Sequence, residues 1–333
     1  MLKKIKELFI PQQLLKGNCG IEREMLRVDK NGYLSFTDHP GIFGDKVLNP
    51  YITTDFSESQ VEIITPALDK IEETYSFLKA LYDIVALEIG DEILWPQSMP
   101  CFIPEDDEIP VAKYSEEGRE AEEYRNKLLK KYGGKKQLIS GIHYNYSFNE
   151  EIIRKLYESS DKELTYKEYK NSIYLKVARN YLRYRWIIVY LLGAAPVIHE
   201  SFLNGCSCKL KQISEDGYTV DGVVSHRNGE CGYRNKEELY PNYDTVEDYV
   251  ESINKYVNDG VIDSYKELYS QVRLKAKNPK NFLNSLLEDG ISYLEYRSID
   301  INPFEKGGIS LNDLYFLQLL NIYMLIKEES SYD

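Results

Sequence analysis

The spacing of apolar residues changes period several times along the chain, and each change marks an element. After Pro66, Leu78, Leu81, Tyr82, Val85 and Ile89 recur at helical spacing, which predicts an amphipathic helix over about 70–90, with Asp69 and Glu72 as its capping box. A second helix is predicted over about 116–132. Acidic residues crowd its first turn after Ser115, Lys130 and Lys131 occupy its last, and Gly133-Gly134 follow, as the helix dipole and a glycine stop require. Helical periodicity also runs from about 150 to 192, strongest in IYLKVARNYLRYRWIIVYLLG, and Gly193 and Pro196 end it. Between the helices lie stretches with strand character: Cys19–Val28, Tyr51–Thr54 with Gln60–Thr65, Leu138–Phe148 and Ser292–Ile299. Residues 204–245 are polar, rich in Gly and Asn and poorly periodic, and read as loops and short strands crossing a surface. The pattern is α+β without regular β-α-β alternation. Neither a Gly-x-Gly-x-x-Gly nor a Gly-x-x-x-x-Gly-Lys-Ser/Thr loop occurs, so any nucleotide is held by other means.

Alternation along the strands carries the chemistry, because successive side chains point to opposite faces. Glu22 and Glu24 share one face against Arg23 and Met25. Gln60, Glu62 and Ile64 oppose Val61, Ile63 and Thr65, with Asp55 just upstream. His143, Asn145 and Ser147 oppose Tyr144, Tyr146 and Phe148, and Tyr293, Glu295 and Arg297 oppose Leu294 and Tyr296. A single antiparallel sheet with one solvated face alternates in the same way. Four such faces, with lysine avoided near the carboxylates, favour a shared site instead. If one curved sheet carries them, Glu22, Glu24, Asp55, Glu62 and Glu295 converge, and such a cluster needs cations. Hard oxygen donors with one imidazole suit Mg²⁺ or Mn²⁺ bridging to phosphate oxygens. Arg125, Arg179, Arg183, Arg227, Arg273 and Arg297 are the candidate electropositive partners, since guanidinium grips carboxylate and phosphate in bidentate fashion. For Arg179 and Arg183, salt bridges along a helix are an equal alternative.

Composition narrows the function classes. The chain has 333 residues and a formal net charge of −13, which argues against a nucleic-acid binder and is compatible with divalent metals. Its 29 tyrosines are scattered and read as core filler. The five cysteines, Cys19, Cys101, Cys206, Cys208 and Cys231, contain no Cys-x-x-Cys pair and are expected to be free thiols in a reducing cytoplasm. Cys206 and Cys208 with His199 or His226 match no established zinc spacing. The apolar stretch of MLKKIKELFIPQQLL is broken by Lys6, Glu7 and Pro11, and the run from Trp186 to Pro196 is too short for a membrane span, so neither export nor membrane insertion is expected. Only four histidines occur, and no nucleophile elbow surrounds a serine. On residues alone, the expectation is metal-dependent phosphoryl transfer or ligation.

The motifs GIEREMLRV, YITTDFSESQVEIITP, DEILWPQSMPC, SGIHYNYSF, YLRYRWIIVYLLGAAP and ISYLEYRSIDINPF occur in an order that resembles bacterial glutamate–cysteine ligases of the proteobacterial type, also found as the first half of bifunctional glutathione synthases. The resemblance runs from about Gly17 to Gly308. It implies one catalytic domain over 1–333 with a glutamine-synthetase-like fold, a curved antiparallel sheet forming a partial barrel with helices outside. It places Mg²⁺ ligands at Glu22, Glu24, Asp55, Glu62, His143 and Glu295. It implies that Arg227 meets the glutamate α-carboxylate, and that Arg297, with Arg125, stabilises the phosphoryl group in transit. Tyr233, Tyr269, Phe56 and Tyr124 would line the pocket for cysteine. The implied reaction passes the ATP γ-phosphoryl to the glutamate γ-carboxylate, and the amine of cysteine then attacks the acyl phosphate. Two departures stand out: the chain ends soon after the INPF motif, so that the family's C-terminal helical region is expected to be absent, and about 204–280 is compressed. A different amine acceptor, or a non-catalytic metal- or nucleotide-binding relative, therefore stays open, as does an oligomer.

Overall fold

The computed structural model describes residues 1–206 and 208–329. Helices α1 (Leu2–Leu8) and α2 (Pro11–Leu14) lead into the long strand β1 (Gly17–Val28), followed by β2 (Ile52–Thr54), β3 (Gln60–Ile64), α3 (Ile71–Glu88), the short β4 (Ile93–Leu94) and α4 (Arg119–Tyr132). Next come β5 (Ile142–Phe148), α5 (Glu150–Glu158), α6 (Tyr166–Leu192), β6 (Ile198–His199), β7 (Lys211–Gln212) and β8 (Gly217–Thr219). The chain continues through α7 (Val246–Asn258), β9 (Val272–Lys275), α8 (Phe282–Asp289), β10 (Tyr293–Ile299) and α9 (Leu311–Ile326).

One antiparallel sheet in the order β2-β3-β1-β5-β10-β9 organises the molecule, with β4 paired to the far end of β1. The order does not close on itself, so the sheet is open and not a closed barrel. A small sheet, β6-β8-β7, forms within the polar stretch. The apolar strand faces pack as alternation predicts. Ile21 and Met25, Val61 and Ile63, Tyr144 and Tyr146, Leu294 and Tyr296 are all buried in one hydrophobic cluster. The tyrosines there form a stack: Tyr144 lies 6.0 Å from both Tyr146 and Tyr296, and Tyr181 of α6 covers Tyr296 at 4.4 Å. Such aromatic pairs add about 0.5–1.5 kcal/mol each beyond their buried area. Helix α3 lies against β1 and β3, α6 against β9 and β10, and α9 against α3 and α6. With one face covered by helices, the other is left for the polar side chains.

Several expectations need correction. Helix α3 begins at Ile71 after Lys70, with no side-chain cap, so the Asp69/Glu72 capping box does not form; Glu72 falls one position too early for the reciprocal bond. The helical periodicity expected over 150–192 is present and is carried by two helices, α5 and α6. Ser159 and Ser160 turn their hydroxyls onto the carbonyls of Leu156 and Tyr157, ending α5, and Thr165 with Glu168 then caps α6. Strand β5 starts at Ile142 because Lys135–Leu138 form a 3₁₀ turn. The cysteines are not all free: Cys206 and Cys231 form a disulfide, leaving Cys19, Cys101 and Cys208 as thiols. The fold brings the sulfurs of Cys206, Cys208 and Cys231 together, without a histidine. Among the described residues, no helix is long and apolar enough to cross a membrane.

Candidate active site

The register of the sheet places the acidic side chains side by side. Glu24 faces Glu62 across β1 and β3, Glu22 faces His143 across β1 and β5, and Glu295 faces Asn145 across β10 and β5. These strands therefore bring to one polar face the residues that alternation had assigned to it. His143 sits at the middle: its Nδ1 lies 3.1 Å from Glu22 Oε2 and 3.6 Å from Glu295 Oε1, and its Nε2 lies 3.6 Å from Glu24 Oε1. Donor atoms of Glu22, His143 and Glu295 all fall within 4.8 Å of one another. Asn145 donates to the second oxygen of Glu22 at 2.9 Å, and the Gly141 amide donates to Glu24 at 2.8 Å.

This face floors a cleft of about 930 Å³. All thirteen residues to which the resemblance gives a role line it, from Glu22, Glu24, Asp55, Phe56 and Glu62, through Tyr124, Arg125, His143, Arg227, Tyr233 and Tyr269, to Glu295 and Arg297. Arg297 reaches Glu295 at 3.2 Å and lies 3.5 Å from His143 Nδ1. Arg227 is fixed at the end of β10, donating to the carbonyls of Arg297 at 2.7 Å and Ile299 at 3.2 Å, with the buried Asp300 at 3.8 Å. Arg125 on α4 donates to the carbonyl of Asp55 and stacks over Tyr114 at 4.8 Å. Tyr233 and Tyr269 meet edge to face at 4.0 Å, with Tyr132 beside both. Arg179 lies elsewhere, bound to Glu329 and to the carbonyl of Tyr243, and neither it nor Arg183 lines the cleft. Arg273 does line it.

The electrostatics are those of an acidic cluster short of positive charge. Burial, then Asp55, pushes the Glu24 carboxyl up to about 8, with Arg227 and Arg297 opposing. Burial also raises Glu62 well above the usual range, reinforced by Glu22, Asp55 and Glu24. Glu295 is buried too, but Arg297, Lys275 and Arg273 outweigh that burial and hold it below the usual range. Glu22 ends lower than usual because the His143 hydrogen bond overcomes burial and Glu295. Burial, then Arg297, lowers His143 and keeps its imidazole neutral, the form that ligates a metal. Glu24 and Glu62, pushed toward protonation, stand beside the ionised Glu22 and Glu295 and one neutral imidazole, and the chemistry of these donors fits a hard divalent cation.

The sequence reading missed Lys275, whose ammonium sits 3.3 Å from Glu295 Oε2, so lysine is not wholly excluded from this face. Strand β9 carries it, and four residues of VRLK are too short for alternation to stand out. Asp300 and Asn228, which brace Arg227 and its loop, were also missed; the SIDINPF motif held the only signal.

The family model described as "Glutamate-cysteine ligase" matches residues 2–333. A bifunctional glutathione-biosynthesis protein of Clostridium perfringens is 46% identical over 98% of this chain, which spans 42% of that relative. A glutamate–cysteine ligase of Clostridium acetobutylicum is 35% identical, covering all of this chain and 76% of its own length. The crystal structure of a glutamate–cysteine ligase from Francisella tularensis in complex with AMP superposes with a TM-score of 0.86 at 29% identity, over 96% of this chain and 68% of that one. The chain thus spans about two fifths of the length of the bifunctional relatives it matches.

Proposed function

The chain belongs to the glutamate–cysteine ligase family, and from that premise we propose that it joins the γ-carboxylate of L-glutamate to the amine of L-cysteine, with ATP consumed and γ-glutamyl phosphate as intermediate. The observation that carries this reading is the convergence of five carboxylates, one neutral imidazole and three arginines on one sheet face inside one cleft. The AMP bound in the Francisella relative supports an adenine nucleotide as co-substrate. A glutamine-synthetase-like sheet belongs to the same proposal, as does a cytoplasmic setting where ATP and free amino acids are at hand.

Glu22, Glu24, Asp55, Glu62, His143 and Glu295 are the proposed ligands of Mg²⁺ or Mn²⁺. When bound, such cations would neutralise phosphate and carboxylate oxygens as charge moves between them. The chain's own groups do the rest. Arg227, held by the carbonyls of Arg297 and Ile299, presents its remaining N–H groups to the α-carboxylate of glutamate. Arg297 lies over the acidic floor, where the transferring phosphoryl group must pass, and stabilises charge that develops only in the transition state. Arg125, which also lines the cleft, is the proposed second donor to that group. Tyr233, Tyr269, Phe56 and Tyr124 supply an apolar and aromatic pocket suited to a small thiol-bearing amine, and exclude water from the acyl phosphate.

The reading is tested by incubating the full chain with ATP, Mg²⁺ and L-glutamate, with and without L-cysteine, and identifying the product by mass. γ-Glutamylcysteine with stoichiometric ADP is expected. Turnover only with another amine would keep the activation step and replace the acceptor; no turnover with any amine would refute the reading.

A further inference from the structure

The three sulfurs of the polar stretch lie outside the acidic site, and the proposed reaction does not use them. Cys231 is fully buried, bonded to Cys206 with their Cα atoms 4.4 Å apart, and the half-buried Cys208 brings its Sγ to 3.2 Å from the same Cys231 sulfur. A third thiol in direct contact with a disulfide sulfur is within reach of exchange, which a rotation bringing the three sulfurs into line would complete. The turn they tether is functional. Cys231 follows Asn228, Gly229 and Glu230, which line the cleft, and stands four residues after Arg227 and two before Tyr233. That turn closes tightly on itself: the Gly229 and Gly232 amides donate to the carbonyls of His226 and Gly229, and any side chain at Gly232 would collide with the Arg227 carbonyl.

We infer that Cys206, Cys208 and Cys231 form a thiol–disulfide exchange site that takes a low-molecular-weight aminothiol and sets the position of the Arg227–Tyr233 turn. In the internal step the Cys208 thiolate attacks the Cys231 sulfur, a Cys208–Cys231 bond forms, the Cys206–Cys231 bond breaks and Cys206 leaves as thiolate, with no net change in oxidation. In the external step an aminothiol RS⁻ attacks the Cys206–Cys231 bond at Cys206, giving a Cys206–SR mixed disulfide and a free Cys231. A second RSH releases RSSR and leaves Cys206 reduced, so two electrons come from two thiols. Disulfides in reducing compartments are typically transient ones of this kind. The choice of an aminothiol, which is both substrate and product chemistry, rests on the proposed ligase reading; the exchange itself does not.

The test is linkage mapping of the full chain, purified without reductant, blocked with N-ethylmaleimide and digested. Both Cys206–Cys231 and Cys208–Cys231 cross-links are expected, with the label divided between Cys208 and Cys206. Cys206→Ser should still close a disulfide, read as a mass two hydrogens below that of the reduced chain, and adding Cys208→Ser should abolish it. Full reduction with a phosphine should raise the KM for glutamate several-fold over that of the oxidised chain, with a smaller change in kcat, both forms being assayed with a non-thiol amine in place of L-cysteine. Cys206→Ser with Cys208 and Cys231 both left as free thiols would overturn the inference, whatever the ligase assay gives. So would an unchanged glutamate KM on full reduction, or a zinc ion taken up by the reduced chain that shields all three thiols from alkylation.

Discussion

Arg297 holds the most demanding position in the cleft. Its guanidinium touches Glu295 and lies beside His143, and the surrounding carboxylates Glu295, Glu24 and Glu22 outweigh its burial and raise its pKa further, so it is charged at every working pH. Removing one preorganised donor of this kind costs on the order of 10²–10³ in kcat. Arg297→Ala should show that loss in glutamate-dependent ADP release, with Arg297→Lys recovering only part of it, because an ammonium cannot reproduce a bidentate fork. An Arg297→Ala protein with wild-type kcat would remove the arginine from the chemistry.

The elements deliver these residues by register, and a single backbone position shows how closely. Gly141 precedes β5; its amide binds Glu24, and a Cβ placed there would overlap the Arg227 guanidinium. Gly141→Ala should therefore lower kcat/KM for glutamate on the order of 10²-fold, the cost of misplacing a binding group by about 1 Å, while ATP affinity is kept. Steady-state kinetics with glutamate and ATP varied in turn would check it, and an equal loss for both substrates would contradict it. Much of this was legible beforehand because strand alternation is a local property: the sets around Glu22, Glu62, His143 and Glu295 could be read from a few residues each. What sequence alone concealed was non-local. Nothing in VRLK announced that Lys275 would pair with Glu295, and nothing in the cysteine spacing told that loops 25 residues apart would meet. The capping of α3 failed for the opposite reason: a local motif was present, but the helix began one residue away from it.

For the whole molecule, the acidic face is a source of instability when no cation is bound. Glu24 and Glu62 have folded-state pKa values raised above the unfolded carboxylate range by burial first and by neighbouring acids second. The folded chain thus binds more protons than the unfolded one between about pH 4.5 and pH 8, so the stabilisation they give is complete below the unfolded pKa and is lost as pH rises through that window. Without divalent cation, Tm should fall across that range; with Mg²⁺ it should recover, most at the alkaline end, because a cation held by the proposed ligands would bind only the folded state. Glu62→Gln should raise the cation-free Tm at pH 8 and abolish much of the Mg²⁺ shift. A Tm insensitive to Mg²⁺ at pH 8 would mean that this face holds no such cation.

The central claim is that the cleft activates a carboxylate by phosphoryl transfer. It is tested most directly with L-glutamate carrying isotopically heavy oxygen in its γ-carboxylate, turned over with ATP, Mg²⁺ and L-cysteine, and the released phosphate analysed by mass. One heavy oxygen in each phosphate is predicted, since the acyl phosphate passes a carboxylate oxygen to its leaving group. Unlabelled phosphate alongside product would contradict the account.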